Sequence, residues 1–163
     1  MWLKDTLPRQ ELQSLLDKLI ERVPVFAGFT QGELLELLSG AEKRVFKAGD
    51  EIIREGSSGK FMYVLIDGQA RVSKRGDGFR ARDLAELARG DCFGEMTLVD
   101  NAPRSATVKA ETACILIRIQ ESDCWNNTKA GSKIYRNIAG ILSQRVRELH
   151  AQLLEKERAA ARA

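Results

Sequence analysis

An α+β fold, an antiparallel β jelly-roll barrel flanked by N-terminal helices and a long C-terminal helix, is predicted by three observations. Leucine and isoleucine recur at spacings of three and four near both ends of the chain, the middle breaks into short apolar runs divided by glycine-containing turns, and those runs keep a period of two. Helical periods outside and strand periods inside specify a barrel capped by helices. At 163 residues and 44% hydrophobic content the chain has the size and apolar content of one domain around a core. One domain over 1–163 is therefore expected, with helices at about 8–39, the barrel at about 41–119 and C-terminal helices at about 121–160.

The first helix is read over 8–23: Pro8 is tolerated in a first turn, and Leu12, Leu15, Leu16, Leu19, Ile20 and Val23 form an amphipathic stripe. Thr30 and Glu33 have capping-box spacing ahead of Leu34, Leu35, Leu37 and Leu38, which predicts a second helix over 31–39. From Ala41 to Ile119 the turn signals are Ala48-Gly49-Asp50, Gly56-Ser57-Ser58-Gly59, Asp67-Gly68, Gly76-Asp77-Gly78 and Arg89-Gly90-Asp91. Among the strands between them, Phe61, Tyr63 and Leu65 alternate with Met62, Val64 and Ile66, a pattern for burial on both faces. Ile115, Ile117 and Ile119 keep the period of two at the barrel's end. Helix returns at 122–126 and then at 130–160, where Ile134, Ile138 and Ile141 form one stripe. Tyr135, Ala139, Leu142, Val146, Leu149 and Leu153 form a second stripe with the steps of a short coiled-coil seam. That seam fits either a homodimer or a helix folded back on its own domain, and the Ala-rich charged tail from Glu155 to Ala163 is expected to fray.

Composition excludes several classes. A net charge of +3 from 26 basic and 23 acidic residues is no cationic nucleic-acid surface. No run approaches the roughly 20 apolar residues of a membrane span, and the start Met1-Trp2-Leu3-Lys4-Asp5 lacks a secretion signal's apolar segment, so a cytoplasmic protein is expected. Cys92, Cys114 and Cys124 show no paired spacing and read as small reduced core thiols. His150 is the lone histidine, which argues against a histidine-built metal site. No catalytic residue and no catalytic cofactor are assigned.

The segment Cys92 to Thr107 carries the chemistry. Gly94 stands where a strand would turn into a short helix over Glu95 to Val99, whose unpaired backbone N–H groups attract an anion. Asp100-Asn101-Ala102-Pro103 favours a turn that doubles the chain back, bringing Arg104, nine positions after Glu95, opposite that helix start. Its planar fork of donors suits two phosphate oxygens. Glu95 needs a different partner, and a ribose hydroxyl can donate to it. Ser105 and Thr107 add neutral donors.

With those residues laid out, Phe93-Gly94-Glu95 and Pro103-Arg104-Ser105-Ala106-Thr107 closely resemble the phosphate-binding cassette of cyclic nucleotide-binding domains. The family pattern is Phe-Gly-Glu, an apolar helical turn, then Pro-Arg, a small residue, Ala and often Thr. Val25-Phe26-Ala27-Gly28-Phe29 resembles the family's turn before a helix, and Gly49-Asp50, Gly56, Gly68 and Gly90-Asp91 resemble its barrel-corner glycines, so the likeness covers about residues 20–150. The chain is similar to the sensor domain of cyclic AMP receptor proteins and protein kinase A regulatory subunits. Thr97 departs mildly, where many members carry Ala.

The resemblance implies a ligand set of Phe93, Gly94, Glu95, Met96, Arg104, Ser105, Ala106 and Thr107, with Glu95 on the ribose 2′-hydroxyl and Arg104 on the cyclic phosphate. It also implies a base lid from the long helix, for which Arg145 is the candidate ahead of Arg147, while Trp2 and Trp125, which could stack on a base, read as packing groups. The function implied is a regulatory sensor for cyclic AMP, or cyclic GMP since Ser105 is compatible with both, that signals through its C-terminal helix to an effector protein. A nucleotide-independent scaffold on the same fold is the alternative, opposed by the charge a buried Arg104 would leave unpaired. The family's transcriptional members add a helix-turn-helix after the long helix, and here only a helical tail follows, so no DNA and no membrane partner are expected.

Overall fold

In the computed structural model, which describes residues 8–76 and 81–160, the first apolar stripe forms α1 (Arg9–Arg22) and buries Leu12, Leu16 and Leu19. A 3₁₀ turn at Pro24–Phe26 leads to α2 (Gln31–Leu37). Thr30 and Glu33 close the expected capping box, the hydroxyl accepting from Glu33 N and the carboxylate from Thr30 N.

Among the described residues eight strands follow: β1 (Glu42–Phe46), β2 (Glu51–Ile53), β3 (Phe61–Asp67), β4 (Ala70–Arg75), β5 (Ala81–Leu87), β6 (Cys92–Phe93), β7 (Thr107–Ala110) and β8 (Cys114–Gln120). They make two antiparallel sheets of order β1-β8-β3-β6 and β2-β7-β4-β5. Most of the expected turn at Gly76-Asp77-Gly78, and Trp2, lie outside the described residues.

The period of two in β3 divides the protein into two cores. Met62 and Val64 point to a cluster shared with Leu16, Phe26, Leu34, Ile117, Ile119, Ile134 and Ile138, which packs the helices on the first sheet. Tyr63 and Leu65 point the other way, into a cluster with Ile53, Phe93, Val108 and Leu116 between the two sheets. A strand buried on both faces thus fixes the helices and the barrel to one backbone.

After α3 (Glu121–Asn126), α4 runs without a break from Thr128 to Ala160. It extends through most of the tail expected to fray, because Ala, Glu, Lys and Arg are strong helix formers. Its first three turns are anchored. Ala130, Ile134 and Ile138 are buried, and Asn137 Nδ2 donates to the carbonyls of Val25 and Ala27, both at 2.9 Å. Lys133 Nζ donates to the Gly28 carbonyl at 2.8 Å and to Glu33 Oε2 at 2.5 Å. Farther along, Val146, Leu149, Leu153 and Leu154 are exposed.

The Lys133 ammonium, the Thr30 backbone N–H and the hydroxyl beside it hold the Glu33 carboxyl well below its ordinary value of 4.5, to about 2. Since the folded value lies under the unfolded one, this contribution is complete above about pH 4.5 and is lost as pH falls toward about 2. Thermal melts of Glu33→Gln should therefore show a shallower fall of Tm across that window than the parent. An identical acid slope would contradict the linkage.

Candidate functional site

β6 ends at Gly94, whose φ of 75° and ψ of 9° are left-handed and open to glycine at little cost. Space demands glycine there as well: a Cβ would stand 2.5 Å from Arg104 Nη1 and 3.0 Å from Ile53 Cδ1. The chain then makes a 3₁₀ turn at Glu95–Leu98, tighter than the α-helical start the sequence suggested. Thr97 is buried, and its hydroxyl donates to the Gly94 carbonyl at 3.1 Å, which ties the turn to the glycine before it. The residue that departs from the family pattern therefore has a structural task.

From the turn the chain doubles back as its residue types predicted. Asp100 Oδ1 accepts from Ala102 N at 3.0 Å, and Asn101 takes a left-handed φ of 55°. The backbone of Arg104 is then pinned from both sides, its N–H donating to Ser57 O and its carbonyl accepting from Gly56 N, both at 2.9 Å. Glycine and arginine thus meet through a loop return held by two main-chain bonds.

The Arg104 side chain is only 4% exposed. Nη1 donates to the Gly94 carbonyl at 2.6 Å and Nη2 to the Phe61 carbonyl at 2.7 Å, while the guanidinium carbon lies 4.4 Å over the Phe61 ring. The unpaired charge expected of a buried Arg104 is relieved in part, because carbonyls and a ring receive the guanidinium. Its positive charge is still met by dipoles rather than by an ion-paired carboxylate among the described residues. Burial accordingly pushes the guanidinium pKa down from its ordinary value. A guanidinium carries five N–H donors, and those not turned to the two carbonyls are the ones available to an anion.

Glu95 is 2% exposed and pairs with Arg145 of α4, whose Nη1 donates to Glu95 Oε1. Arg145 Nη2 donates to the Cys92 carbonyl at 3.1 Å. The helix thereby reaches the carboxylate that follows Gly94. Burial, with the Glu95 charge nearby, pushes the Cys92 thiol up to about 12, so it stays a neutral wall atom.

These residues line a cavity of about 660 Å³. Phe93, Gly94, Glu95, Met96, Arg104, Ser105, Ala106 and Arg145 all contribute to its wall. Thr107 does not, and its hydroxyl accepts from Glu55 N at 3.0 Å instead. Arg145, expected as a lid, directs its guanidinium to Glu95 and Cys92. Arg147 bonds Gln144 on the helix surface, and Trp125 stands exposed beside Tyr135, outside the cavity wall. Residue-type reasoning missed Leu84, Glu86, Glu148, Leu149 and Gln152, which line the cavity from β5 and α4. Leu149, expected in the coiled-coil seam, lines the cavity instead, because the face of Ile134, Ile138 and Ile141 continues at steps of three and four through Arg145 to Leu149 and Gln152.

Comparison with known proteins supplies a family frame. Residues 43–126 match the family model described as the cyclic nucleotide-binding domain. The chain is 30% identical over 138 residues to a cAMP-dependent protein kinase regulatory subunit of Mycosarcoma maydis, covering 85% of this chain and 26% of that protein. It is 31% identical over 130 residues to the cyclic AMP receptor protein of Thermus thermophilus, covering 80% of this chain and 60% of the relative. The crystal structure of Thermus thermophilus catabolite activator protein superposes with a TM-score of 0.73 at 30% identity, over 80% of this chain and 61% of that one. The chain thus spans about a quarter of the kinase subunit and less than two thirds of the receptor protein.

Substituting Gly94→Ala introduces both an unfavourable φ and a close approach to Arg104. A loss of about 1–3 kcal/mol is expected in urea unfolding, seen as a lower midpoint at constant m. An unchanged midpoint would show that the glycine is not a steric requirement.

Proposed function

The chain belongs to the cyclic nucleotide-binding domain family, and from that premise we propose that its 163 residues act as a single sensor domain for cyclic AMP. What carries this reading is the buried Arg104, fixed by two carbonyls and left without a carboxylate ion pair among the described residues. A phosphodiester supplies the missing negative charge, and its oxygens accept the donors that the carbonyls do not use. Ser105 adds a hydroxyl and Gly94 a close backbone approach on the same wall.

Ribose recognition falls to Glu95. Arg145 occupies Oε1, and Oε2 is the acceptor we assign to the 2′-hydroxyl. Because Arg145 belongs to α4, ligand contact at Glu95 bears directly on how firmly the outer half of that helix sits on the barrel. A nucleotide shifts the helix only by its difference in affinity for the two helix positions, and this ion pair is where such a difference arises. The exposed Val146 and Leu153 on α4 are the surface we assign to self-association as a homodimer or to an effector protein.

The role is binding without turnover. Glu95 is held by Arg145 rather than placed as a free general base. We place the domain in the cytoplasm, in keeping with its three free, buried cysteines, and assign it no DNA or membrane partner. No helix among the described residues is long and apolar enough to cross a membrane.

Cyclic GMP is the second reading, favoured by Ser105. Its hydroxyl has a sulphur partner, Met96 Sδ at 3.9 Å, which a ligand displaces at little cost. That hydroxyl serves a phosphate in either complex and suits the 2-amino group of a syn guanine.

Titration calorimetry with both nucleotides is expected to give the tighter complex with cyclic AMP. Arg104→Ala should weaken it by about tenfold or more. Absence of binding by either nucleotide at concentrations up to about millimolar, on the affinity scale where 1 mM corresponds to about 4 kcal/mol, would overturn the assignment.

A further inference from the structure

We infer that Phe61 is a positioning residue for nucleotide binding, its ring fixing the Arg104 guanidinium in the orientation that receives the cyclic phosphate. This deepens the binding role above and rests on it, since Arg104 must meet that phosphate. Phe61 does not line the cavity. It therefore acts through the arginine rather than by touching a ligand.

One residue holds Arg104 twice. The Phe61 carbonyl accepts from Nη2 at 2.7 Å, and the guanidinium carbon lies 4.4 Å over the Phe61 ring. Any residue at position 61 would keep the first contact, but only an aromatic one supplies the second. The face of a ring attracts a cation, the more so where water is excluded, and Arg104 is almost wholly buried. These contacts divide the guanidinium without overlap. The Gly94 and Phe61 carbonyls take one donor from each terminal nitrogen. The ring meets the charge without consuming an N–H, so the remaining donors stay free for the oxygens of an anion.

The fold places the ring as firmly as the ring places the arginine. Gly59 makes room for it: a Cβ there would stand 2.6 Å from Phe61 Cε1 and 3.3 Å from Arg104 Nη2. Gly59 is not one of the left-handed glycines, so space rather than backbone conformation is what glycine supplies at this position. Tyr63, two residues along β3, meets the ring in a T-shaped contact with centroids 5.4 Å apart and planes at 73°. Arg118 of β8 sets its guanidinium carbon 5.1 Å over the same ring and directs Nη2 to Glu42 Oε1 at 2.7 Å. The Glu42 carboxylate balances this second cation, which limits its repulsion of Arg104. A donor set held in this way loses little freedom when a phosphate arrives, and that saving appears as affinity.

Calorimetry with cyclic AMP on the full chain compares Phe61→Leu, which removes the ring but keeps apolar bulk and the carbonyl, with Phe61→Tyr, which keeps the ring. Phe61→Leu is expected to weaken binding by about fivefold or more at unchanged stoichiometry, and Phe61→Tyr to stay within about twofold of the parent. Gly59→Ala, which drives a Cβ against the ring, should weaken binding comparably. The double variant Gly59→Ala/Phe61→Leu should bind no worse than Phe61→Leu alone, because leucine vacates the space that the Cβ needs. If Phe61→Leu does not fold, Gly59→Ala decides the matter by the same loss or its absence. Parental affinity in Phe61→Leu or Gly59→Ala, a tyrosine variant as weak as the leucine one, or additive losses in the double variant each refute the positioning role while Arg104-dependent binding stands. If the parent chain binds no cyclic AMP, the inference falls together with the reading it rests on.

Discussion

A single buried guanidinium sets the terms for this site. Arg104 is withdrawn from water without an ion-paired carboxylate among the described residues, and its charge is borne by two backbone carbonyls and an aromatic face. Desolvating a cation is costly, and dipoles return only part of that cost. An arrangement of this kind persists where the surrounding backbone over-determines it. Here the Arg104 main chain is pinned to Gly56 and Ser57, and Gly94 leaves no atom in the way. The net effect is a positive site in a low-dielectric wall, where an anion is held more strongly than on an open surface.

The second constraint is the continuity of α4. Its first turns belong to the helical core, through Ile134, Ile138, Lys133 and Asn137. Its later turns touch the barrel through Arg145, and they line the cavity with Glu148, Leu149 and Gln152. One continuous helix thus joins the N-terminal helices to the cavity wall. Arg145 links Glu95 to the same helix on which Val146 and Leu153 are exposed. On the proposed reading, sensing and output share an element because the helix is long enough to reach both surfaces.

Much of this was legible in the sequence, for identifiable reasons. The meeting of Gly94, Glu95 and Arg104 on one cavity wall was readable because they lie close in the chain with turn-forming residues between them. β3 announced burial on both faces through unbroken apolar residues, and Thr30 with Glu33 announced a helix start that the bonds reproduce. The rest depended on contacts between distant segments. The Phe61 carbonyl that receives Arg104 lies 43 positions away, and Arg145 lies 50 positions from Glu95. A backbone acceptor has no residue-type signature, and an arginine on a helix looks the same whether it meets solvent or a carboxylate. β5 gave no apolar alternation because it is a charged edge strand, and the bulge that brings Leu84 to the cavity follows from register alone.

A crystal structure of the chain grown with cyclic AMP tests the central claim most directly. The predicted result is a cyclic phosphate within hydrogen-bond reach of the Arg104 guanidinium, with the ribose 2′-hydroxyl on Glu95. A nucleotide bound elsewhere, or Arg104 turned out into solvent with its carbonyl bonds broken, would contradict it.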